Sequence, residues 1–352
     1  MQQLYAVAVS SPSVLKRKTL LGTLALLFLA SSRALSQDPV TELLQKYQWD
    51  LSTNGKPFLL KEANNTSFFA IGGLHGDNET PALVQGLWPS LEKSGYRYII
   101  GEMSPWAASR LNVPHQRGGD IEEPRPHLLI RELGAANPQN RSLQTMVEAV
   151  KDGYQRKIAP DLFQLARQMG EVKDSHEGGV SLKTQVLKTL EVEVARLSGD
   201  RQAASVLRET FMKELFLTHY RAAGTKPKVM AVYGQNHLGR GIDRRGVSTL
   251  GNFIAEFAIA ENGQSFHVEL FAAGGKISFF GLRDVDQRKD EQAFEMLASL
   301  ARYPATVFDL RPLRSLLRKD PVGTLSSRDA SLLYSADSYD AIVCYREVTP
   351  VK

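Results

Sequence analysis

The stretch Ser67-Phe68-Phe69-Ala70-Ile71-Gly72-Gly73-Leu74-His75 decides how this 352-residue chain folds. Its unbroken apolar run, closed by two glycines, is the pattern of a strand buried on both faces, as strands of parallel sheets are. Working outward, Thr80-Pro81 opens a helix, with threonine as N-cap and proline at the first helical position. Leu83, Leu87 and Leu91, flanked by Val84 and Trp88, then form one apolar face, and Gly95 ends the helix. Residues 96–100 (YRYII) read as a second strand that ends at Gly101-Glu102. Strand, helix and strand in this order imply a right-handed crossover between parallel neighbours.

The same unit recurs later in the chain. Residues 228–233 (KVMAVY) run into Gly234-Gln235-Asn236-His237. A helix follows, with Val247, Leu250, Phe253, Ile254 and Phe257 on one side and Asn262-Gly263 as its stop. Residues 266–271, 306–310 and 339–345 supply three more apolar runs. Six strands alternating with helices predict an α/β fold: a mainly parallel central sheet flanked by helices. From about residue 126 to residue 223 the pattern is helical, with no strand and a loop at residues 174–179. This predicts a helical insertion in the middle of a single domain spanning residues 37–352. Residues 37–54 read as a short helical lead-in.

A composition of 43% hydrophobic and 23% charged side chains excludes collagen-like, low-complexity and wholly disordered classes. Of the formal net charge of +5, four charges (Lys16, Arg17, Lys18 and Arg33) fall within residues 1–36, which hold no acid. The remainder is close to neutral and carries no electrostatic footprint for nucleic acid. The basic cluster precedes an apolar run at residues 19–30 and a small-residue exit, the pattern of a secretory signal peptide cleaved after Ser36. The run is shorter than the roughly 20 residues a spanning helix needs. The expected product is an exported protein, periplasmic or secreted, without a membrane anchor. Cys344 is the one cysteine, so no intramolecular disulfide forms. It lies in an apolar strand-like run, where a thiol acts as a small buried hydrophobe rather than a nucleophile.

The chemistry concentrates at strand ends. His75 and His237 each stand three residues past a glycine that closes an apolar strand, and Glu102 follows the third strand. Open α/β sheets bind ligands beyond the carboxyl ends of their strands, so these side chains share one rim. The glycines are expected to let the chain turn sharply and to leave room beside the imidazoles. Glu79, four residues after His75, adds a second carboxylate. Two histidines with one or two carboxylates can hold a divalent metal that activates water, with His75, Glu102 and His237 as ligands. They can equally act without metal, one imidazole serving as general base and a carboxylate orienting it. Arg208, on the helix leading to residues 228–233, is expected either to pair with an acid on the surface or to reach the rim. At the rim it would fork onto a carboxylate or a developing oxyanion. His267 lies within a strand and reads as structural. His115, His127, His176 and His219 lack a motif and read as surface or packing residues. Asp309 is expected to pair with Arg311.

The stretch from His75 to Glu79, the helix after it, and Gly95 to Glu102 together resemble the erythromycin esterase family. That family has a His-Gly-x-x-Glu turn, a helix and a strand ending in glutamate. Arg208-x-x-x-Met212, residues 228–240 and the C-terminal stretch holding residues 340–343 and 347–350 are similar to the same family. The chain departs from it at Gly72 and Gly234, where the esterases carry a glutamate and a further histidine. Those two glycines give the paired Gly-x-x-His pattern of the Tiki and TraB proteins, which share a broader superfamily with the haem-binding ChaN proteins. The resemblance implies a hydrolase of esters or amides, acting on a small-molecule or peptide substrate. It carries function onto His75, Glu79, Glu102, Arg208 and His237. Its other branches imply a metal-dependent protease, or a haem binder with Tyr233 as a possible ligand.

Overall fold

The computed structural model describes residues 38–105, 108, 176–177, 179–278, 281–285, 292–319 and 321–351. Residues 1–36, read above as a signal peptide, His115, His127 and the first half of the expected helical insertion lie outside these residues. The chain divides into Met1–Leu43 and Leu44–Lys352. Of the smaller unit, the described part is Asp38 and the opening of helix α1 (Pro39–Lys46), where Thr41 Oγ1 donates to the Asp38 carboxylate.

In the larger unit, seven strands form one sheet: β1 (Gln48–Asp50), β2 (Phe68–Gly73), β3 (Tyr96–Gly101), β6 (Lys228–Gly234), β7 (Ser265–Ala272), β10 (Ala305–Asp309) and β11 (Ala341–Tyr345). Their spatial order is β1-β10-β11-β7-β2-β6-β3. Neighbours from β11 to β3 are parallel, whereas β10 runs antiparallel to both β1 and β11. The mainly parallel α/β expectation is met. The alternating faces of β2 show why. Phe69 and Ile71 enter one apolar cluster with Leu83, Leu87 and Leu91, while Phe68 and Ala70 enter a second with Met212, Phe216 and Ile254. A strand buried on both faces needs helices on both sides of the sheet.

Those helices are α2 (Lys56–Asn64) and α3 (Glu79–Lys93) against the first cluster, and α5 (Arg201–Ala222) and α7 (Leu250–Ala260) against the second. On the second face, Phe216 and Tyr220 of α5 meet Phe68 of β2 and Phe257 of α7 at ring-centroid distances of 5.0 to 5.9 Å. Aromatic clusters of this kind add about 1 kcal/mol per pair beyond the burial itself. Helix α4 (Leu182–Leu197) packs on α5, so the described part of the insertion is helical from Leu182 onward.

Three local expectations are corrected. The lead-in at residues 37–54 is not wholly helical, because Gln48–Asp50 pairs with β10. The segment around residue 176 carries a small hairpin, β4 (His176–Glu177) with β5 (Val180–Ser181), rather than only a loop. Helix α3 starts at Glu79, ahead of Thr80, because buried Asp77 does the capping: its carboxylate accepts from Thr80 N (2.6 Å) and Thr80 Oγ1 (2.7 Å).

Candidate active site

Register brings the three chemical strands to one level. Gly72 lies opposite Tyr233, Gly73 opposite Gly234, and Gly101 opposite Val232. His75 follows β2, Glu102 follows β3, and His237 follows β6 in the single-turn helix α6 (Gln235–Leu238). The sheet therefore gathers His75, Glu102 and His237 at its C-terminal rim.

Glu102 is the centre of the group. His75 Nε2 lies 3.6 Å from Glu102 Oε2, and His237 Nε2 lies 3.5 Å from Glu102 Oε1. Arg208 Nη2 donates to Glu102 Oε1, and the Gly234 backbone N–H donates to Glu102 Oε2 at 2.8 Å. Burial pushes the Glu102 pKa up. The hydrogen bond and charge of His237, the Arg208 guanidinium and the Gly234 amide outweigh it and hold the carboxyl at about 2. Glu102 is thus a carboxylate at any physiological pH.

The two imidazoles have different surroundings. His75 has 45% of its side chain exposed, whereas His237 has 9%. On its inner side His237 Nδ1 meets Glu209 Oε1 at 2.5 Å, and Glu209 Oε2 accepts from Leu250 N at 2.8 Å. Burial lowers the His237 pKa, but bonds and charges from Glu102 and Glu209 outweigh it and raise the net value. The two carboxylates that flank it thus favour the protonated form of His237. Arg245 Nη2 stands 3.8 Å from Glu209 Oε1 and extends the charge alternation. Beside these acids, burial pushes the Tyr233 phenol upward, with Glu102 and Glu209 adding to the shift.

Glu209 is the residue that sequence reasoning missed. Its signal lay in its phase: Glu209, Met212 and Phe216 fall on the buried face of α5 at i, i+3 and i+7. An acid on an apolar helix stripe needs a buried partner. Arg208, one residue earlier and one-third exposed, reaches the rim and donates to Glu102 through Nη2 alone, not as a fork. Glu79 goes elsewhere: both its oxygens accept from Thr349 N, at 3.1 and 3.0 Å, on the C-terminal segment.

The role of the glycines is partly corrected. Gly234 has φ −57° and ψ 144°, which any residue adopts, so no sharp turn requires it. Its value is space. A Cβ there would overlap His75 Nε2 and stand 3.1 Å from Glu102 Oε2. The glycine before the second histidine therefore makes room for the first.

The donor set does not suit a metal ion. The Glu102 carboxylate is already neutralised by Arg208, and its two oxygens accept from Arg208 and from the Gly234 amide. Among the described residues, no group of three or more His, Cys, Asp or Glu side chains is arranged to hold one. A cleft of about 840 Å³ opens on the Glu102 side, lined by Val84, Ile100, Phe216, His219, Tyr233 and others. Burial lowers the His219 pKa, which favours its uncharged form in the cleft. Buried His267 is structural, with ring nitrogens 2.8 Å from Leu238 O and 2.9 Å from Ser265 Oγ. Arg311 pairs with Asp309 at 2.7 Å, and buried Cys344 has its thiol pushed up to about 12 by burial.

No family model matches the chain, and no curated protein matches it by sequence. Solved structures do. A succinoglycan biosynthesis protein is 12% identical with a TM-score of 0.51, the match covering 90% of this chain and 98% of that one. A protein from Bacillus cereus is 12% identical with a TM-score of 0.50, covering 88% and 97%. A mutant of erythromycin esterase EreC in its open conformation is 13% identical with a TM-score of 0.54, covering 86% and 95%. Likeness at this level of identity establishes architecture, and the chain has an erythromycin esterase-like fold.

Proposed function

We propose that this protein is a hydrolase in which His75 activates water for attack on an ester or amide of a small-molecule or peptide substrate. The supporting observation is the asymmetry of the two imidazoles around Glu102. His237 is buried between two carboxylates, which favour its protonated form. His75 is half-exposed, with Glu102 Oε2 3.6 Å from its Nε2 and buried Asp77 close enough to interact with it electrostatically. A base must reach solvent and substrate, and His75 meets that condition.

In this mechanism His75 takes a proton from water as the water oxygen bonds to the substrate carbonyl carbon. Glu102 stabilises the resulting imidazolium, and Arg208 and His237 hold Glu102 in place. Arg208, one-third exposed, supplies its remaining guanidinium donors to the oxyanion. Collapse of the tetrahedral species breaks the bond to the leaving group, which receives the proton from His75. No step needs a metal. Export is proposed from the basic and apolar pattern of residues 1–36 alone.

The test is turnover of a panel of esters and peptides by the parent, His75→Ala and His237→Ala. Loss of His75 is expected to lower kcat by about 10²- to 10⁴-fold. Unchanged turnover in both variants ends the proposal. Loss on chelation with recovery on adding a divalent ion would replace it with a metal-dependent mechanism.

A further inference from the structure

The geometry points to Glu79 as a positioning residue: we propose that it clamps the C-terminal strap, residues 349–351, onto the loop that carries His75, and takes no proton itself. The inference rests on the reading of His75 as the base.

The loop is held from three directions. From within, Asp77 caps α3, and Leu74 N donates to Thr80 Oγ1 at 3.2 Å. From one side, Ser278 N donates to Gly76 O at 2.8 Å; Ser278 ends β8 (Lys276–Ser278), which pairs with β9 (Leu282–Asp284). Gly76 has φ +75°, and a Cβ there would overlap the Ser278 backbone, so the loop and β8 touch main chain to main chain. From the other side comes the strap. Val351 N donates to Gly76 O at 3.0 Å, Asn78 N donates to Thr349 O at 3.0 Å, and Asp77 bridges Pro350. Asn78 Nδ2 donates to Thr349 Oγ1 at 3.1 Å and to Pro350 O at 2.9 Å.

Glu79 closes this contact. Its carboxylate accepts the Thr349 N–H on both oxygens and the Thr349 hydroxyl at 2.9 Å. All of these donors belong to the strap. The carboxylate also sits in the first turn of α3, where the helix N-terminus favours negative charge. These bonds tie residue 79, four positions after the imidazole, to residue 349 of the strap. The His-Gly-x-x-Glu spacing has its physical reason here: one turn of chain separates the base from its anchor.

The experiment compares Glu79→Gln, Glu79→Ala and a chain ending after Val348, using amide hydrogen exchange at Asn78 and Ser278 alongside kcat and KM. Glutamine keeps an acceptor for Thr349 N and a donor for its hydroxyl, so it is expected to retain most of the protection and most of kcat. Alanine and the shortened chain are expected to speed exchange at Asn78 about tenfold or more, the worth of a hydrogen bond to a charged group. They should lower kcat with KM little changed, since the base rather than the cleft is displaced. If Glu79→Gln loses kcat as fully as Glu79→Ala while the Asn78 amide stays protected, Glu79 is a chemical group and the proposal is overturned. Exchange unaffected by Glu79→Ala and by the shortened chain also overturns it. A parent without turnover defeats the hydrolase reading, and the exchange arm still decides the clamp.

Discussion

Replacing Gly234 with alanine tests the geometry of the rim with one carbon atom. The Gly234 backbone already has φ −57° and ψ 144°, so alanine fits without strain. The shortened freedom of the unfolded chain should add about 0.4–1 kcal/mol of stability. The new Cβ overlaps His75 Nε2 and approaches Glu102 Oε2 to 3.1 Å. Glu102 is fixed by Arg208 and by the Gly234 amide itself, whereas His75 is half-exposed at the far end of its side chain. The imidazole therefore yields, retreating by about an ångström to reach van der Waals separation. A displacement of that size in a catalytic group costs about 10²-fold in rate. The expected result is a thermal midpoint within a few degrees of the parent, with kcat on the best ester or amide reduced about a hundredfold. Turnover within twofold of the parent at an unchanged midpoint would refute the placement of His75 as the base. A collapse in stability would refute the claim that the glycine provides room rather than packing.

Two further outcomes follow from the buried charges. Glu209→Gln removes one of the two carboxylates around His237 and is expected to cost about 3 kcal/mol in denaturant unfolding, as breaking a buried pair does; a loss below about 0.5 kcal/mol would show that the Glu209–His237 pair is not formed. Buried His267 has its pKa lowered from 6.5 to about 3 by burial first and then by Arg240. It stays neutral in the folded chain while the unfolded chain takes up a proton, so stability falls as the pH drops from 6.5 toward 3. Glu102 and Asp340, each held at about 2, add to the loss as the pH falls below 4.5 and 3.8. His267→Gln should be less stable at neutral pH but show a flatter slope between pH 6.5 and 3 in pH-dependent unfolding.

The central sheet was legible because its strands are buried on both faces, and continuous apolar runs such as residues 67–71 leave little alternative. Strand β1 was not, because Gln48-Trp49-Asp50 has only three residues and pairs at the sheet edge with β10. The antiparallel direction of β10 was also hidden, since chain direction within a sheet leaves no mark on hydrophobic pattern. At the site, His75, Glu102 and His237 were readable from their places after strands. Glu209 was hidden by distance: its partner His237 is 28 residues away, and only its phase with Met212 and Phe216 betrays it. Glu79 was placed in the right loop, but its contact with Thr349, 270 residues later, depends on how the segment after β11 returns to the loop after β2.

The account depends on two imidazoles in different surroundings around one carboxylate. The direct measurement is a pH titration of the imidazole nitrogens by NMR, with His237 assigned through His237→Gln. The account predicts that His237 remains doubly protonated at pH 6.5 and loses its proton only above that value, because Glu102 and Glu209 flank it. A neutral His237 at pH 6.5 would contradict it, since the buried imidazole would then be free to act as the base and His75 would lose its distinction.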